Sequence, residues 1–147
     1  MLAPLDANLD DPFSLQRFVA AQAPLYDRVC AELSAGRKRS HWMWFIFPQI
    51  HGLGSSAMAQ RYAITSLAEG VAYLDHPVLG PRLRECTRLV NAVDGRSAHE
   101  IFGSPDDMKF HSSMTLFLRA GPEDALFRTA LDKYFAGKLD PATIERL

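Results

Sequence analysis

The chain has 147 residues, with 16 Lys and Arg against 17 Asp and Glu, and 48% of its residues are hydrophobic. This length allows one domain and leaves little room for two, and the net charge of −1 excludes a general polyanion binder but not a local basic patch. We expect a flexible tail over residues 1–10 and a single helical domain over 11–147.

The sequence also indicates the cellular compartment in which we expect the protein. No apolar run approaches the ~20 residues that span a bilayer, and the acidic start MLAPLDANLDD lacks the basic-then-apolar order of a signal peptide. Two cysteines, Cys30 and Cys86, cannot by themselves form a disulfide framework or a zinc site. We expect a cytoplasmic protein with no membrane partner, in which Cys86 is buried and Cys30 has no obvious activating neighbour.

Two helices are predicted in the first part of the chain, separated by Pro24, which interrupts the hydrogen bonds of a helix. Asp11 followed by Pro12 predicts the start of the first helix, with Asp as the N-cap and Pro in the first turn. The second helix has an apolar stripe at every fourth position, formed by Leu25, Val29 and Leu33. Gly36 is typical of a helix C-terminus.

An uninterrupted apolar run follows at residues 42–47. Its periodicity does not distinguish a buried strand from a short buried helix. Ser40 is a possible cap for a helix here, and Pro48 ends either element. Residues 51–56 (HGLGSS) have the composition of a loop.

Helix signals then recur with short joins to the end of the chain. The predicted caps are Ser56, Ser66, Ser97, Ser104, Asp124 and Asp140. The longest stripe has the spacing 4, 3, 4, 3 that is typical of a helix, and it consists of Leu79, Leu83, Cys86, Val90 and Val93. Strand signals are nearly absent. We therefore predict an all-α fold, a compact single domain of seven to eight short helices that is not a simple four-helix bundle.

The residues between 37 and 49 form the densest candidate site, with three cations (Arg37, Lys38 and Arg39), a histidine, two tryptophans and a glutamine beside a Gly/Ser loop. The residues assigned to ligand binding are Arg39, His41, Trp42, Trp44 and Gln49. An arginine binds phosphate, a tryptophan stacks on a ring, and a glutamine amide recognises a polar edge. The amides of the 52–56 loop can hold a second phosphate. The structural alternative is that the aromatic side chains belong to the core and the cations to a solvated turn.

A second candidate lies at Lys109 and Ser112, which share one face of a predicted helix. The lysine can hold an anion or activate the serine hydroxyl, and serine–lysine pairs act as nucleophile and base in some hydrolases. The alternative is an ordinary polar helix face. We therefore assign Lys109 and Ser112 to ligand binding and leave the catalytic residues unassigned.

No metal site and no cofactor are predicted. The five histidines show no pair at i, i+4 and no HExxH motif. The chain also lacks a P-loop and a GxGxxG fingerprint in the required context.

Four segments together resemble a known bacterial family, domain of unknown function 1810, some members of which are labelled "calpastatin". The segments are 39–64 (RSHWMWFIFPQIHGLGSSAMAQRYAI), 76–83 (HPVLGPRL), 101–103 (IFG) and 109–117 (KFHSSMTLF). The resemblance runs from about Phe13 to the C-terminus and implies a compact all-α domain, but it implies no activity, and nothing here resembles a protease-inhibitor repeat. Several motif residues of the family are polar and stand in otherwise apolar stretches of this sequence. This combination favours a site that contains His41, Gln49, Lys109 and Ser112.

The stretch from Gln60 to Leu83 is also faintly similar to the NADAR group, helical domains that process ADP-ribose and related N-glycosides. The similarity is limited to short helices, a tyrosine and a Leu-Gly-x-Arg-Leu run. The catalytic residues of that group cannot be aligned here. N-glycosidase-like processing therefore stays an alternative function.

Three hypotheses follow. The first is binding, with or without hydrolysis, of a small phosphorylated or nucleotide-like ligand, and it requires the 37–49 block and Lys109 to meet. The second is a non-catalytic protein-interaction module, which requires Trp42 or Trp44 to be exposed on a patch. The third is nucleic-acid binding through 37–39 and 82–88, which the charge balance does not favour. The sequence assigns no reaction and no oligomeric state.

Overall fold

The computed structural model describes residues 11–147, so the predicted tail over 1–10 lies outside the described residues. Within 11–147 the chain forms ten helices and no strand, and a single parallel bridge pairs Ile50 with Ile64. The all-α prediction is confirmed.

The helices are, in chain order, α1 (Gln16–Gln22), α2 (Tyr26–Ser34), α3 (Met43–Ile46), α4 (Ala57–Arg61), α5 (Leu67–Asp75), α6 (Leu79–Asn91), α7 (Ala98–Phe102), α8 (Asp106–Ala120), α9 (Ala125–Phe135) and α10 (Pro141–Glu145). Six of them have seven residues or more. The other four have four or five residues, and the total of ten among residues 11–147 exceeds the seven to eight predicted from the sequence.

Helix α8 lies at the centre of the fold. Its residues 112–118 are all buried, and the helix packs against α5, α7, α9 and α10. The ring of Phe110 lies 5.0 Å from that of Phe47 and 4.7 Å from that of Phe102, centroid to centroid. Because Phe47 directly follows α3, this aromatic cluster fixes the 42–49 segment beside the first half of α8.

The apolar run at 42–47 is a short helix rather than a strand. Three of the four residues of α3 are buried, namely Met43, Phe45 and Ile46, and Trp44 is left half-buried on the outer side. The carbonyl of Phe45 accepts a hydrogen bond from the buried amide of Gln22 at 2.7 Å. This contact satisfies a backbone acceptor near the C-terminus of the helix, where intrahelical partners are missing.

Four of the predicted caps are present. The side chains of Ser56, Ser66, Ser97 and Asp124 each accept a hydrogen bond from a backbone N–H in the first turn that follows, and Ser97 forms a full capping box with Glu100. These local signals require only neighbouring residues, which is why the sequence shows them.

Four caps differ from the prediction. The side chain of Asp140 makes no cap hydrogen bond to α10. The Asp11 carboxylate accepts from the N–H groups of Leu15 and Gln16, so α1 begins at Gln16 rather than directly after Asp11. The hydroxyl of Ser40 donates to Glu32 instead of capping α3. Helix α8 follows Pro105 and has no side-chain cap, so Ser104 does not serve as one.

Candidate functional site

Two adjoining cavities lie between α3, α4, α8 and the residue that precedes α10. Their volumes are about 280 Å³ and 520 Å³, and the larger falls in the range of about 300–1,000 Å³ that is typical of small-molecule sites. Three residues line both cavities, namely Gln49, Gly54 and Ala59. We call the combined space the cleft.

The wall of the cleft joins the two candidate regions. Trp44 lines the smaller cavity, and Lys109 lines the larger one. The ammonium nitrogen of Lys109 lies 5.3 Å from the centroid of the Trp44 ring, which is a cation–π distance. The 37–49 block therefore meets the helix that carries Lys109.

Gln49 occupies the junction of the two cavities because its backbone is fixed there. Its carbonyl accepts a hydrogen bond from the N–H of Ile64 at 2.8 Å, and the N–H of His51 donates to the Ile64 carbonyl at 2.9 Å. These bonds hold the segment after Pro48 against the chain that follows α4. The side-chain amide of Gln49 is thereby placed beside both cavities.

Lys109 belongs to a small ion-pair network. Asp106 Oδ1 lies 3.5 Å from Lys109 Nζ, and Asp106 Oδ2 lies 2.8 Å from Lys38 Nζ. Lys38 rather than Arg39 therefore links the cationic segment to α8. Because two ammonium groups share one carboxylate, the network keeps a net positive charge at the edge of the cleft.

Ser112 lies one helical turn after Lys109 and faces a carboxylate. Its hydroxyl lies 2.8 Å from Asp140 Oδ2 and 3.1 Å from the carbonyl of Met108. A hydroxyl has one proton to donate, and both neighbours are acceptors. No hydrogen bond joins Ser112 to Lys109, so the arrangement does not form a nucleophile–base pair.

The other three predicted residues lie apart from the cleft. The Trp42 side chain is 0% exposed, and its indole nitrogen donates to Glu32 at 3.0 Å. Arg39 and His41 are exposed and line neither cavity. The structure thus brings together Trp44, Gln49, Lys109 and Ser112, and it places Arg39, His41 and Trp42 elsewhere.

Glu32 organises the segment that leads into α3. Its carboxylate accepts hydrogen bonds from the backbone of Arg39, from the backbone and hydroxyl of Ser40, and from the Trp42 indole. Burial alone would raise the pKa of Glu32, but these hydrogen bonds to the charged form together lower it. The side chain of Glu32 on α2 therefore fixes the conformation of residues 39–42, which lead into α3.

The arginines of the second basic segment have partners within the fold. The guanidinium of Arg82 lies 5.0 Å from the Tyr26 ring centroid, Arg84 donates to Asp124 at 2.7 Å, and Arg88 pairs with Glu85. These contacts reduce the positive potential that nucleic-acid binding requires.

The protein-interaction hypothesis requires an exposed tryptophan. Trp42 is buried, and Trp44 is half-buried in the wall of the cleft. The large apolar side chains that are exposed among residues 11–147 are Val71, Met108 and Leu147. Val71 lies on α5, Met108 on α8 and Leu147 beyond α10, and none of them is aromatic.

The two cysteines lie together where α2 packs against α6. A hydrogen bond with the Cys86 thiol lowers the pKa of Cys30, and the Tyr26 hydroxyl lowers it further. Burial acts in the opposite direction but does not cancel this effect. The same contact and burial raise the pKa of Cys86, which is 1% exposed as expected. The sequence does not reveal the main neighbour of Cys30, because Cys86 comes from a helix distant in the chain.

Sequence reasoning gave no ligand role to Asp140, which lines the larger cavity. It also did not find the ion pairs of Asp106 with Lys38 and Lys109, although Lys38 stands in the cationic segment of the candidate block. Asp106 and Lys109 have the i, i+3 spacing of an ion pair on a helix. The same aspartate is also explained by the helix dipole, which favours acidic residues in the first turn, so the spacing alone did not identify the pair. Asp140 precedes Pro141 and has the pattern of a helix cap. Its position in the cleft depends on the packing of α10 against α8, which no local pattern reveals.

Among residues 11–147, no group of three or more His, Cys, Asp or Glu side chains is placed to hold a metal ion. None of the helices in that range has the length and apolar character needed to cross a bilayer.

Comparison with known proteins identifies the family. The chain matches the family model described as "Protein of unknown function (DUF1810)" over residues 12–147, which confirms the resemblance seen in the motifs. It is 60% identical to the conserved hypothetical protein Rv1873 from Mycobacterium tuberculosis, whose crystal structure superposes with a TM-score of 0.92 and covers 93% of this chain and 98% of that chain. Among curated proteins, none matches the chain.

Proposed function

The chain belongs to the DUF1810 family, and on that premise we propose that it binds a small phosphorylated or nucleotide-like ligand in the cleft. Trp44 stacks on a planar ring of the ligand, Lys109 binds its anionic group, and Gln49 recognises a polar edge between them. The cytoplasmic location expected from the sequence stays a prediction.

One observation carries the proposal. Trp44 and Lys109 are far apart in the sequence, yet 5.3 Å separates the Lys109 nitrogen from the Trp44 ring centroid in the cleft wall. A half-buried tryptophan beside a cation offers both an apolar ring and a charge, which is the combination that a ring-bearing anion requires.

The ion pairs beside Lys109 also favour an anion at that residue, and the carboxylate of Asp140 lies elsewhere in the lining of the same cavity. Asp106 is shared between Lys38 and Lys109, so it neutralises only one of the two cations. The guanidinium of Arg17, which lines the smaller cavity, is held by Glu69 and by four backbone carbonyls. We therefore assign the anion contact to Lys109 rather than to Arg17.

The geometry supports binding better than hydrolysis. The Ser112 proton is directed to acceptors rather than to a base that could remove it during a reaction. The stretch similar to the NADAR group contributes Gln60 and Tyr62 to the smaller cavity. For this reason ADP-ribose belongs in the panel of test ligands, and its intact recovery after incubation would exclude turnover.

We expect Lys109→Gln to weaken ligand binding by about tenfold or more, because a hydrogen bond to a charged group contributes about 1.5–3 kcal/mol. The measurement is isothermal titration calorimetry of the full chain with the adenosine, guanosine, cytidine and uridine 5′-monophosphates and with ADP-ribose. At least one of these ligands should bind to the wild-type protein.

The matched control is Arg39→Gln, which also removes one positive charge but from an exposed residue outside the cleft. It should bind the same ligand as the wild-type protein does. Equal weakening by both variants would assign the effect to overall charge and contradict the proposed site. Binding of no ligand from the panel would contradict the proposed function.

A further inference from the structure

We propose that Asp140 is the acceptor in the cleft for sugar hydroxyl groups, and that the ligand therefore contains a pentose with vicinal hydroxyls, as in a ribonucleotide. This inference rests on the proposed function and deepens it by naming the chemical class of the ligand. The residues that hold Asp140 carry the argument.

Asp140 directly precedes α10 but does not cap it. An aspartate at this position usually accepts a hydrogen bond from a backbone N–H of the first turn, whereas the Asp140 side chain makes no such bond. Its Oδ2 instead accepts from the hydroxyls of Ser112 at 2.8 Å and Thr143 at 2.6 Å. Its backbone N–H donates to the Thr115 hydroxyl at 2.9 Å, so both the backbone and the carboxylate are fixed.

The second carboxylate oxygen of Asp140 is left for a ligand. Asp140 lines the larger cavity together with Lys109 and Gln49. A carboxylate oxygen accepts about two hydrogen bonds, so the hydroxyls of Ser112 and Thr143 saturate Oδ2. Within residues 11–147 no hydrogen bond is directed to Oδ1, which therefore keeps two acceptor positions.

The surroundings of Asp140 favour hydroxyl donors over a ligand ammonium group. Lys109 lines the same cavity, and its positive charge repels a second cation but not a neutral hydroxyl. An anionic group at Lys109 and hydroxyls at Asp140 occur together in sugar phosphates. A base attached to that sugar can reach Trp44 through the junction of the two cavities at Gln49.

The test compares a ribonucleotide with the same nucleotide lacking both sugar hydroxyls. The probes are adenosine 5′-monophosphate and 2′,3′-dideoxyadenosine 5′-monophosphate, titrated into the full chain by calorimetry. We expect the wild-type protein to bind the ribonucleotide more tightly by about tenfold or more, because the dideoxy compound leaves an acceptor unpaired. In Asp140→Asn an amide N–H donor replaces the acceptor Oδ1, so a sugar hydroxyl there exchanges a hydrogen bond to a charged group for a neutral one, and the preference should fall severalfold.

Affinity for the dideoxy compound provides the folding control: Asp140→Asn removes a negative charge from the cavity that holds the anion, so this affinity should be unchanged or higher. Asp94→Asn, which alters a fully exposed carboxylate, should keep the wild-type preference. Equal affinity of the wild-type protein for both compounds, or an unchanged preference in Asp140→Asn, would overturn the inference and leave the proposed function intact. Failure of both compounds to bind would overturn the inference, and the wider ligand panel would then decide the proposed function separately.

Discussion

Replacing Gly80 with alanine is expected to destabilise the protein by about 3 kcal/mol or more, at the upper end of the cost of overpacking a core. A Cβ atom at this position would lie 2.1 Å from the carbonyl oxygen of Leu74 and 2.8 Å from a guanidinium nitrogen of Arg84. The oxygen belongs to the backbone of α5 and cannot rotate away. The first turn of α6 would therefore have to move.

This movement would also disturb the hydrogen bonds that Arg84 donates. Its guanidinium donates to the Leu74 carbonyl at 3.2 Å and to Asp124, at the start of α9, at 2.7 Å. Urea unfolding of the variant should thus show a lower midpoint with an unchanged slope.

Gly70→Ala is the matched control for Gly80→Ala. Gly70 lies within α5, and its added Cβ would meet the Ala120 side chain at 3.4 Å, an ordinary contact distance. Because alanine favours a helix over glycine by about 1 kcal/mol, this variant should be as stable as the wild-type protein or more so. Similar unfolding midpoints for the two variants would contradict the close approach of α5 and α6.

Glu32→Ala is the second substitution with a large expected effect, a loss of about 2–4 kcal/mol. It removes four hydrogen bonds from one carboxylate and leaves the indole N–H of the buried Trp42 without its partner. An unsatisfied buried donor costs about 1–3 kcal/mol by itself. The measurement is again urea unfolding, here at pH 7.

The control for Glu32→Ala is Glu85→Ala. Glu85 forms an exposed pair with Arg88 at 3.3 Å, and such pairs contribute about 0–1 kcal/mol. Equal stability losses for the two variants would show that the Glu32 network contributes no more than a surface pair.

The contribution of Glu32 also depends on pH in a defined direction. The pKa of Glu32 is lowered in the folded protein, so the unfolded chain takes up a proton first as the pH falls. The stabilisation is fully present above the unfolded pKa of about 4.3 and is lost as the pH falls through the lower folded value. In Glu32→Gln this part of the pH dependence should be absent.

Much of the fold could be predicted because its signals are local. The stripe on α6 and the caps Ser56, Ser66 and Ser97 involve residues within a few positions of each other. The 42–47 run stayed ambiguous because both a strand and a helix can be apolar on every side when buried. Its helical form depends on tertiary partners such as Gln22.

The site was less predictable because its residues are brought together by long-range packing, which local sequence patterns do not show. The sequence located both regions of the cleft, yet Trp42 and Trp44 are indistinguishable by composition alone. The indole of Trp42 is buried and donates a hydrogen bond to the carboxylate of Glu32, whereas the ring of Trp44 lies beside Lys109. Asp140 is identified only by its long-range contact with Ser112.

A nucleotide-like ligand in the cleft would lie beside Trp44. The chain contains two tryptophans, so a ¹H–¹⁵N spectrum shows two indole signals, which Trp44→Phe assigns. On titration with adenosine 5′-monophosphate we predict that the Trp44 signal shifts, while the signal of Trp42, buried and bonded to Glu32, stays in place. A Trp44 signal that does not move at saturating nucleotide would contradict binding in the cleft.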